Sequence, residues 1–346
     1  MLSASSIGGR LPVGGHMILR GIDFGSVWGA SGVQGFYGGD EYRYHRWLRL
    51  LGILDMRGLT FVAKTMTLNP NTGNMPIKED GITPSELLPA CVHVTPASWW
   101  NGFALNKVGL TNPGAEELLR RGIWQRRESP VVLSFMQIAS LSDEPKLELA
   151  MRIQEIRAFV HLMRDALPGF RAPVALQINF SCPNTGPHAK TTLDFILETL
   201  DIASILDIPL IPKLAVDTSI IDAAAIAEHP ACDAICISNT VSWGSTSVPN
   251  WQGLFGSPVS PLAHLGKPGG GGLSGAPLLP LVEDWITQFR KLDPKTLING
   301  GGGILKPKDA RRLIGAGANS VFLGSVAFLR PWRVQSIIRH ASLEVT

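Results

Sequence analysis

Short apolar runs of β-type composition alternate along the chain with longer stretches in which apolar residues recur every three or four positions. The runs are Ser26–Ala30, Thr60–Lys64, Val131–Ile138, Val174–Phe180, Pro209–Leu214, Ala234–Ser238, Thr296–Asn299 and Ser320–Leu323. Each reads as a strand. Between and after them the pattern predicts helices over Glu41–Leu54, Gly114–Arg121, Lys146–Leu167, Thr192–Leu206, Ser219–Ala227, Pro277–Arg290, Lys308–Gly315 and Pro331–Leu343. In Lys146–Leu167 the residues Leu149, Ile153, Ile156, Val160 and Met163 fall on one face, which predicts a helix with one buried side. Eight strand–helix pairs in strict alternation predict an α/β fold, a parallel (β/α)8 TIM barrel.

Two stretches exceed what a bare barrel needs. Leu68–Asn112 carries many Pro, Asn and Gly residues and no convincing helical period, and Ser242–Gly272 is rich in Gly, Pro and Ser. Both follow a predicted strand, so both should hang over the C-terminal mouth, where this fold builds its active sites, as lids or small extra sheets. The expectation is one domain over residues 1–346, with insertions at about 68–112 and 242–272 forming a small subdomain. No internal repeat is found.

Composition narrows the class. With 45% hydrophobic and 17% charged residues in 346, the chain buries a large core, which excludes a disordered or solvating polypeptide. The net charge of +3 is spread without a block, so charge lends no support to a nucleic-acid or membrane-surface role. Four cysteines, Cys91, Cys182, Cys232 and Cys236, are too few and scattered for a disulfide framework, and a reducing, cytoplasmic setting is expected. The first fifteen residues lack the basic-then-apolar order of a secretory signal, and no apolar run reaches the ~18 residues of a membrane span.

The densest candidate chemistry is Gln177-Ile178-Asn179-Phe180-Ser181-Cys182-Pro183-Asn184-Thr185-Gly186, where a predicted strand ends amid amide, hydroxyl and thiol side chains. Cys182 is either a small buried hydrophobe or, placed on a loop at a strand end, a reactive group. Cys232 and Cys236 lack the second Cys/His pair of a metal site and read as core, so no metal is expected. Gly300-Gly301-Gly302-Gly303 follows the seventh strand and Gly324-Ser325 the eighth, which favours a phosphate-bearing cofactor held by backbone N–H groups. Lys64 and Lys213 each stand near the end of a predicted strand in an apolar run, where an ammonium either snorkels to water or receives an anion. Asn106, Asn179, Asn184 and Asn239 are ordinary loop residues one by one. Together they suit a planar ring with alternating carbonyl and N–H groups. Trp99 and Trp100 read as packing for the first insertion, and His188 as a solvated bystander.

Asn179-Phe180-Ser181-Cys182-Pro183-Asn184 resembles the base loop of the soluble, cysteine-using class of dihydroorotate dehydrogenases; the membrane-bound class has Ser at the cysteine position. Supporting segments run through nearly the whole chain in the family's order: Ala30-Ser31-Gly32-Val33, Ala63-Lys64-Thr65, Asn106-Lys107-Val108-Gly109-Leu110-Thr111-Asn112, Pro212-Lys213-Leu214, Ser238-Asn239-Thr240, Gly271-Gly272-Leu273-Ser274-Gly275, Gly302-Gly303-Ile304 and Gly324-Ser325. Two positions depart from it: Thr111 stands where the family usually has Pro, and Gly29 where relatives often have Asn.

The resemblance implies FMN-dependent oxidation of (S)-dihydroorotate to orotate in pyrimidine biosynthesis, with Cys182 as general base. It implies a substrate site of Lys64, Asn106, Val108, Gly109, Leu110, Asn179, Asn184, Asn239 and Thr240. For FMN it implies Ala30, Ser31, Gly32, Lys64, Thr65, Asn179, Lys213, Ser238, Gly272, Gly302, Gly303, Gly324 and Ser325. The electron acceptor would be fumarate, used by homodimers, or NAD through an iron–sulfur flavoprotein subunit. A homodimer is the expected assembly, with no nucleic acid or membrane as partner. Two rivals remain: a related FMN enzyme for another pyrimidine or an enoate, and a phosphate-binding barrel without redox chemistry.

Overall fold

A computed structural model describes residues 15–39, 41–138, 145–180, 192–248, 250–266 and 269–343. Eight parallel strands form one sheet: β1 Val27–Gly29, β2 Phe61–Val62, β3 Val131–Phe135, β4 Val174–Asn179, β5 Leu210–Leu214, β6 Ala234–Ile237, β7 Leu297–Gly300 and β8 Ser320–Leu323. The sheet order runs β1-β8-β7-β6-β5-β4-β3-β2, and a parallel bridge between Trp28 and Thr60 joins its two edges, so the sheet closes into a barrel. Seven of the predicted apolar runs contain one of these strands, and the remaining run, Thr296–Asn299, overlaps β7, which extends one residue further to Gly300.

Alternation along the strands separates two apolar layers. Trp28, Val62, Val132, Ala175, Ile211, Ala234, Cys236 and Phe322 form one buried cluster, whereas Val27, Phe61, Val131, Leu133, Leu176, Leu210, Ile235 and Val321 belong to another that includes the helices. Successive side chains on a strand point to opposite faces, so the first set fills the barrel and the second receives its helical jacket. Met17, Leu19 and Phe24, on and beside an antiparallel hairpin of Ile18–Leu19 and Ile22–Asp23, join the interior cluster.

The jacket is α1 Arg43–Leu50, α2 Ala115–Arg120, α3 Pro145–Ala166, α4 Leu193–Ala203, α5 Ile220–Ala227, α6 Leu278–Leu292, α7 Pro307–Ala316 and α8 Val334–Leu343. In α3 the predicted stripe is the buried one: Ile153, Ile156, Val160 and Met163 are buried and Leu149 packs on the core. Local chemistry sets the starts of two others. The Thr192 hydroxyl accepts from Phe195 N at 3.3 Å to open α4, and Ser219 accepts from Ile221 N at 3.2 Å to open α5.

The two insertions build one structure together. Val92–His93 and Phe103–Asn106 from the first, with Val241–Ser242 and Gly272–Gly275 from the second, form a four-stranded antiparallel sheet. The first insertion also holds a short helix, Pro96–Asn101, that hydrophobic periodicity does not announce. Its signal is at its ends: Thr95 and Ser98 form a reciprocal capping box, Pro96 opens the first turn, and Gly102 closes it at φ 80°. Trp99 of this helix packs on Trp332 and under the Arg330 guanidinium, which donates to the Trp99 carbonyl at 2.8 Å. Trp99 keeps part of its ring accessible, and Trp100 is largely exposed.

Candidate active site

The loops at the C-terminal ends of the strands and the extra sheet enclose a cavity of about 730 Å³. After β1, Ala30, Ser31 and Gly32 reach its wall. The Ser31 hydroxyl bonds the Ala63 carbonyl at 2.9 Å and lies 2.8 Å from Thr65 Oγ1, which in turn lies 2.9 Å from Ser134 Oγ. This chain of hydroxyls ties the ends of β1, β2 and β3 together. Tyr42 closes the turn by donating to the Gly32 carbonyl at 2.7 Å.

Lys64, two residues past β2, lies on the cavity wall with its ammonium donating to the Thr111 carbonyl and 4.7 Å from the Phe36 ring centroid. Burial draws its pKa down to about 8, against the opposing pull of Cys91 and Glu41. It is therefore a cation already partly desolvated before any ligand arrives.

Asn106, Val108, Gly109 and Leu110 share the wall with it. Gly109 and Leu110 have φ of 69° and 55°, a left-handed pair that for leucine requires outside support. Two asparagines outside the expected site supply it. Asn74 Nδ2 donates to the Lys107 carbonyl at 2.7 Å, and Asn71 Nδ2 to those of Gly109 and Leu110 at 2.7 and 3.0 Å. With Asn74 N bonded to the Val108 carbonyl at 2.8 Å, four successive carbonyls are engaged on the side of residues 71–74. Thr111, in place of proline, adds to this anchor: its Oγ1 lies 2.9 Å from the Thr72 carbonyl and accepts from Met75 N at 3.1 Å. The rigidity that a proline ring provides is supplied here by hydrogen bonds.

Across the cavity, Asn179 ends β4 beside Lys213 of β5, its register partner. Asn239 Nδ2 donates to Asn179 Oδ1 at 2.9 Å, and Asn239 Oδ1 accepts from Thr240 N at 2.9 Å. The relay fixes both amides, so Asn179 carries its NH₂ on the edge away from Asn239. Ser238, also on the wall, donates to the Asn239 carbonyl at 2.6 Å. Lys213 is buried, with its ammonium 5.8 Å from the Phe322 ring centroid.

Gly302 and Gly303 after β7, and Gly324 and Ser325 after β8, complete the wall. Gly303, at φ 81°, is held closely: an added Cβ would lie 2.8 Å from both the Gly275 carbonyl and Leu279 N. Gly272 does not line the cavity. It pairs with Asn106 in the extra sheet, and Gly275, three residues on, is the glycine of that motif that lines the cavity.

Eighteen of the expected site residues thus line one cavity. Cys182 and Asn184 lie outside the described residues, as do Ser181 and His188; the described wall ends at Asn179, three residues before Cys182. Tyr42, Tyr44, Met75, Trp99, Ser274 and Phe328 line the cavity too and were not expected there. One signal was available: all three tyrosines of the chain, Tyr37, Tyr42 and Tyr44, cluster just after the first strand. Burial raises the thiol pKa of Cys91 to about 11 and of Cys232 and Cys236 to about 12, so none of these is a thiolate near neutral pH. No group of three metal-ligating side chains is found among the described residues.

The family model for dihydroorotate dehydrogenase matches residues 50–343. The chain belongs to the dihydroorotate dehydrogenase family. It is 30% identical over 313 residues to a dihydroorotate dehydrogenase B (NAD(+)), catalytic subunit, of Desulforudis audaxviator, covering 87% of this chain and 82% of that one. It is 29% identical over 328 residues to a dihydroorotate dehydrogenase A (fumarate) of Lactobacillus delbrueckii subsp. bulgaricus, covering 90% and 87%. The fold is similar to that of a ligand-free DHODH from Eimeria tenella, with a TM-score of 0.64 at 18% identity over 99% of this chain and 89% of that chain. Membership of the dihydroorotate dehydrogenase family makes the chain an oxidoreductase. No helix among the described residues is long and apolar enough to cross a membrane.

Proposed function

We propose that this dehydrogenase oxidises (S)-dihydroorotate to orotate with FMN in the cavity and Cys182 as general base. The observation that carries the reading is the convergence of Lys64, the Val108–Leu110 turn and the Asn106, Asn179 and Asn239 amides on one cavity from four separate parts of the chain. An ammonium beside backbone N–H groups suits a carboxylate, and amides suit the ring of a pyrimidine. A site for an uncharged pyrimidine or a simple enoate has no use for a half-buried lysine there. The cavity also fits FMN. Gly302, Gly303 and Gly324 offer bare backbone beside Ser325 at the start of a helical turn, a cradle for a phosphate, and Lys213 holds positive charge beside the place of an electron-rich ring. Ala30, Ser31, Gly32, Thr65, Asn179 and Ser238 would line the ring.

In the reaction, Asn106, Asn179, Asn184, Asn239 and Thr240 hold the pyrimidine flat, and Lys64 anchors its carboxylate. Cys182 takes the proton from carbon five as a thiolate, so the step speeds up as pH rises toward an ordinary thiol pKa near ~8.5. Bound FMN supplies the acceptor for the hydride that leaves carbon six, which completes the carbon–carbon double bond. We place the reaction in pyrimidine biosynthesis in the cytoplasm, in a homodimer, with fumarate slightly ahead of a partner flavoprotein as electron acceptor. The test is anaerobic mixing of the yellow protein with dihydroorotate. Rapid bleaching with orotate as product is expected, and a flavin that stays oxidised would reject the assignment.

A further inference from the structure

Lys107 lies between two residues of the cavity wall, Asn106 and Val108, yet does not line the cavity itself. It is 0% exposed, a position few lysines occupy without a carboxylate. Its ammonium instead donates to two carbonyls, Leu265 O at 2.6 Å and Leu262 O at 3.4 Å, and no ion pair with it is found among the described residues. Burial lowers its pKa. Both carbonyls belong to a compact turn in the second insertion. That turn is folded by Ser260, whose Oγ accepts from Leu262 N at 3.0 Å and donates to the Gly270 carbonyl at 2.5 Å. The backbone of Lys107 is held as well: its N–H donates to the Cys91 carbonyl at 2.7 Å and its carbonyl accepts from Asn74 at 2.7 Å.

A methionine would fill this space without the cost of desolvating a charge. What it would not do is satisfy the Leu265 carbonyl or tie the second insertion to the substrate turn; the Leu262 carbonyl also accepts from Leu265 N at 3.2 Å. We infer that Lys107 is a positioning residue of the substrate site, a buried staple that holds the 260–265 turn against the back of Asn106 and the Val108–Leu110 turn. It acts through its neighbours, setting where the Asn106 amide and the three backbone N–H groups meet an anionic pyrimidine. This rests on the proposed function for the identity of the ligand but not for the staple.

The test compares the FMN-loaded parent with Lys107→Met and Lys107→Arg by three readouts: orotate affinity, the rate of flavin reduction at saturating dihydroorotate, and protease cleavage between residues 256 and 270. Lys107→Met should weaken orotate binding about tenfold or more and speed cleavage, with reduction at saturation within about threefold of the parent, since misplacement of a binding group acts chiefly on affinity. Lys107→Arg, which still donates to both carbonyls, should restore both affinity and protection. Parental orotate affinity or parental cleavage in Lys107→Met overturns the staple, and so does failure of the arginine to restore them. If Lys107→Met does not fold, Lys107→Gln, too short to reach both carbonyls, carries the same readouts. Cleavage needs no substrate, so the staple is decided even where dihydroorotate fails to bleach the parent flavin.

Discussion

Lys64 leaves the end of β2 with its ammonium on the Thr111 carbonyl and its pKa drawn down to about 8 by burial. A bound carboxylate favours the charged form, so binding raises that pKa. Below about pH 7 the lysine is already protonated and affinity for orotate should be flat. Above pH 8 binding must take up a proton, and the dissociation constant should rise about tenfold per pH unit until the bound-state pKa is reached. Titrations from pH 6 to 10 check the slope. Lys64→Ala should remove it and cost about 1.5–3 kcal/mol of orotate affinity, while dihydrouracil, without the carboxylate, should bind parent and variant alike. Equal losses for both ligands would mean that Lys64 does not read the carboxylate. Cys182→Ala should keep FMN and orotate affinity but slow flavin reduction by about 100-fold or more, as stopped-flow absorbance would show; undiminished reduction rules out this base. At this scale the sequence is most legible where a side chain carries chemistry into the cavity, as with Lys64, Asn179 and Asn239. It is least legible where a side chain holds backbone. Asn71, Asn74 and Lys107 act on carbonyls of residues that no local pattern brings near them.

Each of the eight strands is visible in the sequence because both faces are buried, one against the barrel interior and one against helices, which leaves a short, mostly apolar run. The extra sheet is not visible in this way. Its strands have two to four residues, shorter than any period can register, and its central pair, Phe103–Asn106 with Gly272–Gly275, joins across a gap of more than 100 residues. The ends of β7 and β8 show how an element constrains its own test. Gly303→Val would drive a side chain into the Gly275 carbonyl and Leu279 N, so loss of flavin there would follow from a broken sheet–helix contact. Ser325, which opens the Val326–Leu329 turn on the cavity wall, is the cleaner position. Ser325→Asp should leave the circular dichroism unchanged while repelling a phosphate, and the purified protein should be pale and regain little colour on titration with FMN. Full, tight FMN loading of this variant would move the phosphate elsewhere.

For the molecule as a whole, the relatives divide between fumarate-using and NAD-using names at nearly equal identity, 29% and 30%. The chain has four cysteines in all, one of them Cys182, too few for an iron–sulfur centre beside a cysteine base. Its G-x-G-x-x-G run, Gly270–Gly275, enters a strand of the antiparallel extra sheet and is not the strand-to-helix turn of a nicotinamide site. The purified chain should therefore pass electrons from dihydroorotate to fumarate or a dye but not to NAD. Anaerobic turnover with each acceptor decides this. Brisk NAD reduction by the single chain would overturn the assignment, and turnover with dye alone would point to a partner subunit.

The sheet over the cavity has a consequence for how the protein is made. Phe103–Asn106 finds its neighbour only when Gly272–Gly275 has been synthesised. Until then Phe103 and Leu105, both buried in the finished protein, stand on an edge with one short partner, Val92–His93. Closing so long a loop is entropically slow, and an unpaired apolar edge is a template for the wrong neighbour. Translation past residue 275 thus separates a growing chain prone to self-association from one able to shield that edge, and assembly of the substrate wall is among the last events of folding.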